Sequence, residues 1–330
     1  MFRSLLAALL GASFSLGASL AMPYQAGVAQ IADLDADLPA QATGVVWYPT
    51  KVPEIMWHAG PFRITASRDA PIVEGNFPIV LLSHGRQGGP LSHRDLAAHL
   101  AREGFIVIAP THSGDSVDHP LASSQMQILT RRPNQAIAAL DATLRDPRFS
   151  HHVDASRIGM VGYSVGGYAG LILAGAKPDF SLAAAYCEMH GRSDLGSCSS
   201  SDPTSEEAFD KSDWQPPSDP RLKALVLLDP LATMFDEKGL GPVKIPVMLY
   251  RPQDDTYMKS GANALALVRN LHPSPIEITM PGRHFVFVDP CPEEISADDA
   301  LVCVDEPGID RAALHRRLRR EIAIFLKRNL

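Results

Sequence analysis

Short, unbroken apolar runs recur along the chain. Between them lie longer segments in which apolar residues return every third or fourth position. The runs are Ile79-Val80-Leu81-Leu82, Phe105-Ile106-Val107-Ile108-Ala109, Ile158-Gly159-Met160-Val161, Ala224-Leu225-Val226-Leu227-Leu228 and Val247-Met248-Leu249-Tyr250. Such runs, with no polar alternation, mark strands buried on both faces. Ile276-Glu277-Ile278-Thr279 reads as the last strand, and Gly44 to Tyr48 as an early one closed by Pro49. Helical spacing appears in Leu96, Leu100 and Ala101, in Ile137, Leu140 and Leu144 (a helix over 134–145), over 262–271, and in Leu314, Leu318, Ile322 and Phe325. Buried strands alternating with helices predict an α/β chain with a mostly parallel sheet of about eight strands, flanked by helices.

Two stretches depart from this rhythm. Residues 51–77 read as mixed strand and loop, and Ala183 to Cys187 as a further strand. Residues 188–220 are rich in Gly, Ser, Asp and Pro and predict an inserted loop or small lid within one domain spanning 22–330. The apolar residues Met189, Phe209 and Trp214 in that insertion either fill a small core of their own or overhang a substrate pocket.

The N-terminus changes the picture of where the chain works. Arg3 precedes an apolar run from Leu5 to Leu20, and Ser19-Leu20-Ala21 places small residues at a cleavage site. This predicts a secretory signal peptide over 1–21, no integral membrane segment after its removal, and a secreted or periplasmic product. All four cysteines lie beyond it, and an even number in an exported chain points to disulfides. Pairing sequence neighbours gives Cys187–Cys198 and Cys291–Cys303; the spacings match no common zinc pattern. The formal charge of −7 argues against a nucleic-acid partner. His151-His152 reads as a solvated turn, and Arg316-Arg317 with Arg319-Arg320 either as an anion-binding run or as the wet face of the last helix.

The candidate chemistry centres on Gly162-Tyr163-Ser164-Val165-Gly166-Gly167, which lies between a buried strand and a small-residue helical segment. Strand, sharp turn and helix are the setting in which G-x-S-x-G presents a nucleophilic serine. The glycines remove side chains that would collide in the turn. A serine hydroxyl needs a base, and the base needs an orienting acid, here expected downstream in the order Ser, acid, His.

Of the histidines beyond Ser164, His190 falls in the insertion, His272 ends a helix and His315 reads as solvent-facing. His284, just after the last strand, is the expected base. Asp255, after the Val247–Tyr250 strand, is the expected acid, with Asp254 beside it and Asp229, after Ala224–Leu228, as alternatives. The oxyanion needs two N–H donors; the Val165 amide is one, and the Arg86 amide in Ser83-His84-Gly85-Arg86 the expected other. His84 itself reads as structural.

The chain resembles the α/β-hydrolases grouped with platelet-activating-factor acetylhydrolases and exported dienelactone-hydrolase-like proteins. The matching pieces are Val46-Trp47-Tyr48-Pro49, Ser83-His84-Gly85, the Ser164 elbow, Gly282-Arg283-His284-Phe285 and the tail from Asp289-Pro290-Cys291 to Asp310-Arg311. The resemblance implies an α/β-hydrolase fold and a serine esterase acting on small-molecule or lipid esters without metal or cofactor. Ser164 stands where true dienelactone hydrolases carry cysteine, which argues against dienelactone as substrate. Some acetylhydrolase relatives carry their acid after strand six, the position of Asp229. Other readings of the same fold are a lipid deacetylase, an acyltransferase and a non-catalytic binding protein.

Overall fold

The computed structural model describes residues 23–32, 43–117, 124–198, 214–296 and 299–330. The expected signal peptide and Phe209 lie outside the described residues. The strands are β1 (Gln25–Ala32), β2 (Thr43–Thr50), β3 (Ile55–Ala59), β4 (Phe62–Arg68), β5 (Phe77–Ser83), β6 (Ile106–Pro110), β7 (Val153–Tyr163), β8 (Leu222–Leu228), β9 (Val247–Pro252) and β10 (Ile276–Met280). The helices are α1 (Arg94–Arg102), α2 (Gln125–Arg145), α3 (Val165–Leu173), α4 (Phe180–His190), α5 (Leu195–Cys198), α6 (Glu237–Leu240), α7 (Ala264–Asn270), α8 (Glu293–Ser296), α9 (Ala300–Cys303) and α10 (Arg311–Asn329).

The strands run β10-β9-β8-β7-β5-β6-β2-β1-β4-β3 across the sheet. The six from β10 to β6 are parallel, β2 pairs antiparallel with both β6 and β1, and the β3–β4 hairpin closes the edge. Ten described strands stand where about eight were expected, because 51–77 supplies a two-stranded hairpin and Gln25–Ala32 a strand of its own, while the strand expected over Ala183 to Cys187 is absent.

The apolar runs are explained by two cores. Ile79 and Leu81 of β5 join the cluster containing α2, α3 and α7 residues, while Val80 and Leu82 face the cluster containing α1 and α10 residues. A strand covered on both faces has no solvent side to show as alternation.

Two sequence expectations give way. Ala183 to Cys187 is not a strand but part of α4, whose N-terminus is capped by the Asp179 carboxylate on Ser181 N at 3.0 Å. No α4 residue is buried, so the short apolar run carried no reliable period. Helix α2 begins at Gln125 rather than 134, set by a Ser124–Gln127 capping box. It carries Pro133 in its interior, the residue that makes the segment look broken in sequence.

Candidate active site

Ser164 follows β7 and is the N-cap residue of α3, with φ 54° and ψ −117°. That left-handed conformation is rare for a residue with a side chain and is held by its surroundings. Ser164 N donates to Leu228 O at 3.0 Å, and Ser164 O accepts from Gly167 N and Leu231 N at 2.9 and 3.1 Å. The flanking glycines are needed for space. A Cβ on Gly162 would stand 2.3 Å from Gly166 O, and one on Gly166 2.1 Å from Ser83 O. The turn is therefore pressed between β5 and β8, and Ser164 is left 8% exposed.

His284 follows β10 after a turn at Gly282 (φ +102°) and opens a 3₁₀ turn over His284–Phe287. Its Nδ1 lies 2.6 Å from Asp229 Oδ2. This corrects the choice of acid: the carboxylate beside His284 is Asp229, not Asp255 or Asp254. Asp255 accepts from Ser260 N at 2.9 Å, and Asp254 from Thr256 N at 2.9 Å, so both tie up their own loop. Asp229 follows β8 with φ 40°, donating its N–H to Tyr250 O at 2.8 Å. The next residue, Pro230, packs so close to α3 that a Cβ on Gly167 would meet its Cβ at 2.6 Å.

Asp229 is fully buried, and its Oδ1 has no partner among the described residues. Burial pushes its carboxyl above the usual range, against the hydrogen bond and charge of His284; Asp255 and Asp194 push it further up. The rings of Tyr163 and Tyr257 are inclined by 31° and 28° to the His284 imidazole at centroid distances of 4.9 and 5.0 Å, and Tyr163 Oη donates to His284 O at 3.2 Å.

Ser164 and His284 share a pocket of about 50 Å³ with Val165, Arg86, Gln125, Gly196, Tyr257 and Phe285. Both expected oxyanion residues thus line it. The Arg86 loop is fixed from beneath by Arg132, which is 1% exposed. Arg132 donates Nη1 to His84 O and Nη2 to Gly85 O, the latter at 2.9 Å, and pairs with Asp115 at 2.7 Å. Asp115 in turn accepts from Gln87 N at 3.0 Å. A trans peptide points its N–H away from its C=O, so with Gly85 O on Arg132 the Arg86 N–H points the other way. His84 sits in this network, its Nδ1 2.7 Å from Gly85 O, and burial with Arg132 drives its pKa well down.

The insertion meets the pocket through a residue not singled out by sequence. Cys187 is bonded to Cys198, with Cα atoms 5.4 Å apart, and Gly196 N donates to Tyr257 O at 2.7 Å. A Cβ on Gly196 would stand 2.7 Å from that carbonyl. Asp194 accepts from Tyr186 Oη, Ser197 N and Lys259 N, and Asn263 Nδ2 donates to Ser197 Oγ. Met189 is 73% exposed and Trp214 packs on Phe180, so neither lines the pocket.

Cys291 is bonded to Cys303. His315, expected in solvent, is 2% exposed. Its Nδ1 lies 3.1 Å from Asp289 Oδ1 and its Nε2 2.7 Å from Val286 O, which braces the His284 turn. The reason is that Arg311, His315, Leu318, Ile322 and Phe325 form one buried stripe of α10, wider than its apolar members alone.

Comparison with known proteins agrees with this architecture. The chlorophyllase family model matches residues 59–187. Cutinase est1 of Thermobifida alba is 29% identical over 163 residues, covering 44% of this chain and 52% of that protein. Cutinase est2 of Thermobifida alba is 28% identical over 141 residues, covering 38% and 44%. The chain thus matches only about half the length of these curated relatives. A ferulic acid esterase from Streptomyces cinnamoneus superposes with TM-score 0.63 at 18% identity, covering 94% of this chain and 90% of that one. The fold is the α/β-hydrolase fold.

Proposed function

We propose that this chain is a serine carboxylic-ester hydrolase, exported from the cell that makes it and acting on esters with short acyl groups. The observation that carries the reading is Ser164, held in a left-handed elbow, sharing one pocket with His284 while His284 Nδ1 rests on Asp229. In this reading Ser164 Oγ attacks the ester carbonyl and His284 Nε2 takes its proton. Asp229 holds the imidazole with Nδ1–H inward and stabilises the imidazolium. The negative oxygen of the tetrahedral intermediate is met by the Val165 and Arg86 amides. His284 then gives its proton to the leaving alkoxide, which departs as the alcohol. A water, deprotonated by His284, attacks the acyl-enzyme; collapse of the second intermediate returns the proton to Ser164 Oγ and releases the acid.

The esterase and cutinase names of the relatives agree with ester hydrolysis. The resemblance to acetylhydrolases and the small pocket walled by Gly196, Tyr257 and Phe285 favour short acyl chains. The disulfides and the leader-like residues 1–21 favour export. The test is covalent labelling by a fluorophosphonate probe together with turnover of p-nitrophenyl esters from acetate to palmitate. Ser164→Ala should abolish labelling and lower turnover at least ~10³-fold. Labelling of the Ser164→Ala chain, or its near-normal turnover, would exclude Ser164 as nucleophile. A wild-type chain that neither labels nor turns over would instead be a binding protein.

A further inference from the structure

A second pocket, of about 200 Å³, shares no lining residue with the Ser164 pocket. It lies where α1, α10, β2 and β4 meet. Four guanidinium groups line it: Arg63 from β4, Arg94 and Arg102 from α1, and Arg319 from α10. In a chain of formal charge −7 this is a local concentration of positive charge. Two carboxylates temper it. Arg102 is engaged with Glu54 at 2.7 Å, and Arg319 lies 3.4 Å from Asp95, which also lines the pocket. Arg94 makes no ion pair but interacts electrostatically with the Asp95 and Asp289 carboxylates and lies over the Phe62 ring, so the surplus positive charge rests on Arg63.

Some of the donors here are also unused, although Arg102 is spent on Glu54 and Thr65 O and Arg94 Nη1 reaches Leu91 O at 3.5 Å. Trp47 lines the pocket at 1% exposed, and its indole N–H, which can only donate, has no partner among the described residues. Arg94 is 8% exposed; its Nη2 donates to Pro290 O at 2.8 Å, but its Nε–H has no partner among the described residues. The Arg63 guanidinium makes no hydrogen bond or ion pair to a described residue. Buried donors are almost always satisfied, but both of these N–H groups lack accessible surface, so the donors the pocket offers directly are the Arg63 and Arg319 guanidiniums. Guanidinium forks match the oxygens of a phosphate group in geometry and in charge.

We propose that this pocket binds a phosphate group, gripped by Arg63 and Arg319, with the charge of Arg94 behind them. Arg102 is held out of the primary grip by Glu54, and Asp95 fixes the Arg319 guanidinium beside the ligand. Thus Arg319, one of the arginines in the run near the C-terminus, turns inward while Arg316, Arg317 and Arg320 are exposed. The assignment is independent of the ester-hydrolase reading.

The test is calorimetric titration of the full chain with inorganic phosphate at constant ionic strength, with acetate as a monoanionic control. A parallel sedimentation assay uses phosphatidylcholine vesicles with and without phosphatidic acid. The variants are Arg63→Gln, at an exposed position, and Arg63→Gln/Arg319→Gln. Saturable one-to-one phosphate binding is expected, weakened at least tenfold in the double variant while p-nitrophenyl acetate turnover stays at the wild-type level. Retention on phosphatidic acid vesicles alone, lost in the variants, would make the source a lipid headgroup. No saturable binding in either assay, or equal binding by wild type and both variants, would overturn the proposal. Should the double variant fail to fold, Arg63→Gln alone decides by the same readouts.

Discussion

Asp229 Oδ2 lies 2.6 Å from His284 Nδ1, and the two residues approach from the ends of different strands, β8 and β10. Asp229 has no route to solvent, so its charge is answered chiefly by the imidazole it touches. Asp229→Asn is expected to lower turnover by ~10³–10⁴-fold with the fold intact, because an amide stabilises the wrong tautomer and no imidazolium. Asp255→Asn and Asp254→Asn are expected to change turnover less than ~10-fold, since each only loses a contact within its own loop. Steady-state turnover of the three variants checks this; a crippled Asp255→Asn beside an active Asp229→Asn would reverse the assignment.

Arg132 and Asp115 are both 1% exposed and pair at 2.7 Å beneath the Arg86 loop. Removing one partner of such a pair strands the other charge, at a cost of about 3–5 kcal/mol. Arg132→Met is therefore expected to lower unfolding free energy by that amount in urea. Because the His84 and Gly85 carbonyls lose their anchor, kcat should also fall with little change in KM. Arg132→Lys should restore less than half of the stability, since one ammonium cannot replace the fork that reaches both carbonyls and Asp115. Unchanged kcat in folded Arg132→Met would show that the loop holds its shape unaided.

The bond between Cys187 and Cys198 closes a loop of 11 residues in sequence separation that carries Gly196 to the pocket. In the chain-entropy account such a loop stabilises by about 3 kcal/mol. Cys187→Ser/Cys198→Ser is expected to lose stability of that order and to broaden the acyl-length profile, while a fluorophosphonate still labels Ser164. A profile identical to wild type would mean that the wall keeps its position without the bond.

Acidification should destabilise the fold well before its carboxylates protonate. Burial lowers His93 and His99 from 6.5 to about 4, and burial with Arg132 drives His84 and His112 well below 6.5. Between those values the unfolded chain binds more protons than the folded one, so stability falls with pH through the window from 6.5 to about 4. His93 alone accounts for roughly 3 kcal/mol of that loss. Urea unfolding at pH 7, 5.5 and 4.5 should show the decline, and His93→Gln should flatten it. A stability that is level across this range would contradict the buried neutral state of these side chains.

The parts of the site legible in sequence are those fixed by local backbone geometry. Ser164 is betrayed by its glycines, which are demanded by contacts as close as 2.1 Å, and His284 by its place after the last strand. The partner of His284 depends on which of two loops reaches the imidazole, and in sequence Asp255 after β9 fits the expected position better than its neighbour Asp254 or than Asp229 after β8. The signal available was Asp229-Pro230 directly after the β8 run, a dipeptide that locks the strand end against the elbow. Gly196 and Arg132 are hidden for another reason: each matters through a partner more than 40 residues distant, Tyr257 in one case and His84 in the other. His315 reads as solvent-facing because a polar residue inside an apolar stripe looks like its edge unless its buried partner, Asp289, is known.

The wall around Gly196 is fastened to itself by Cys187–Cys198, and to the segment between β9 and α7 through Asp194, Ser197 and Asn263. None of those attachments passes through Ser164, His284 or Asp229. The mouth of the pocket is therefore fastened separately from the Asp229–His284 pair but not insulated from it: the Asp194 charge raises the Asp229 carboxyl, and Tyr257, which Gly196 holds, lays its ring on His284. Recutting this clipped segment would change which molecules enter and would also be felt at that pair.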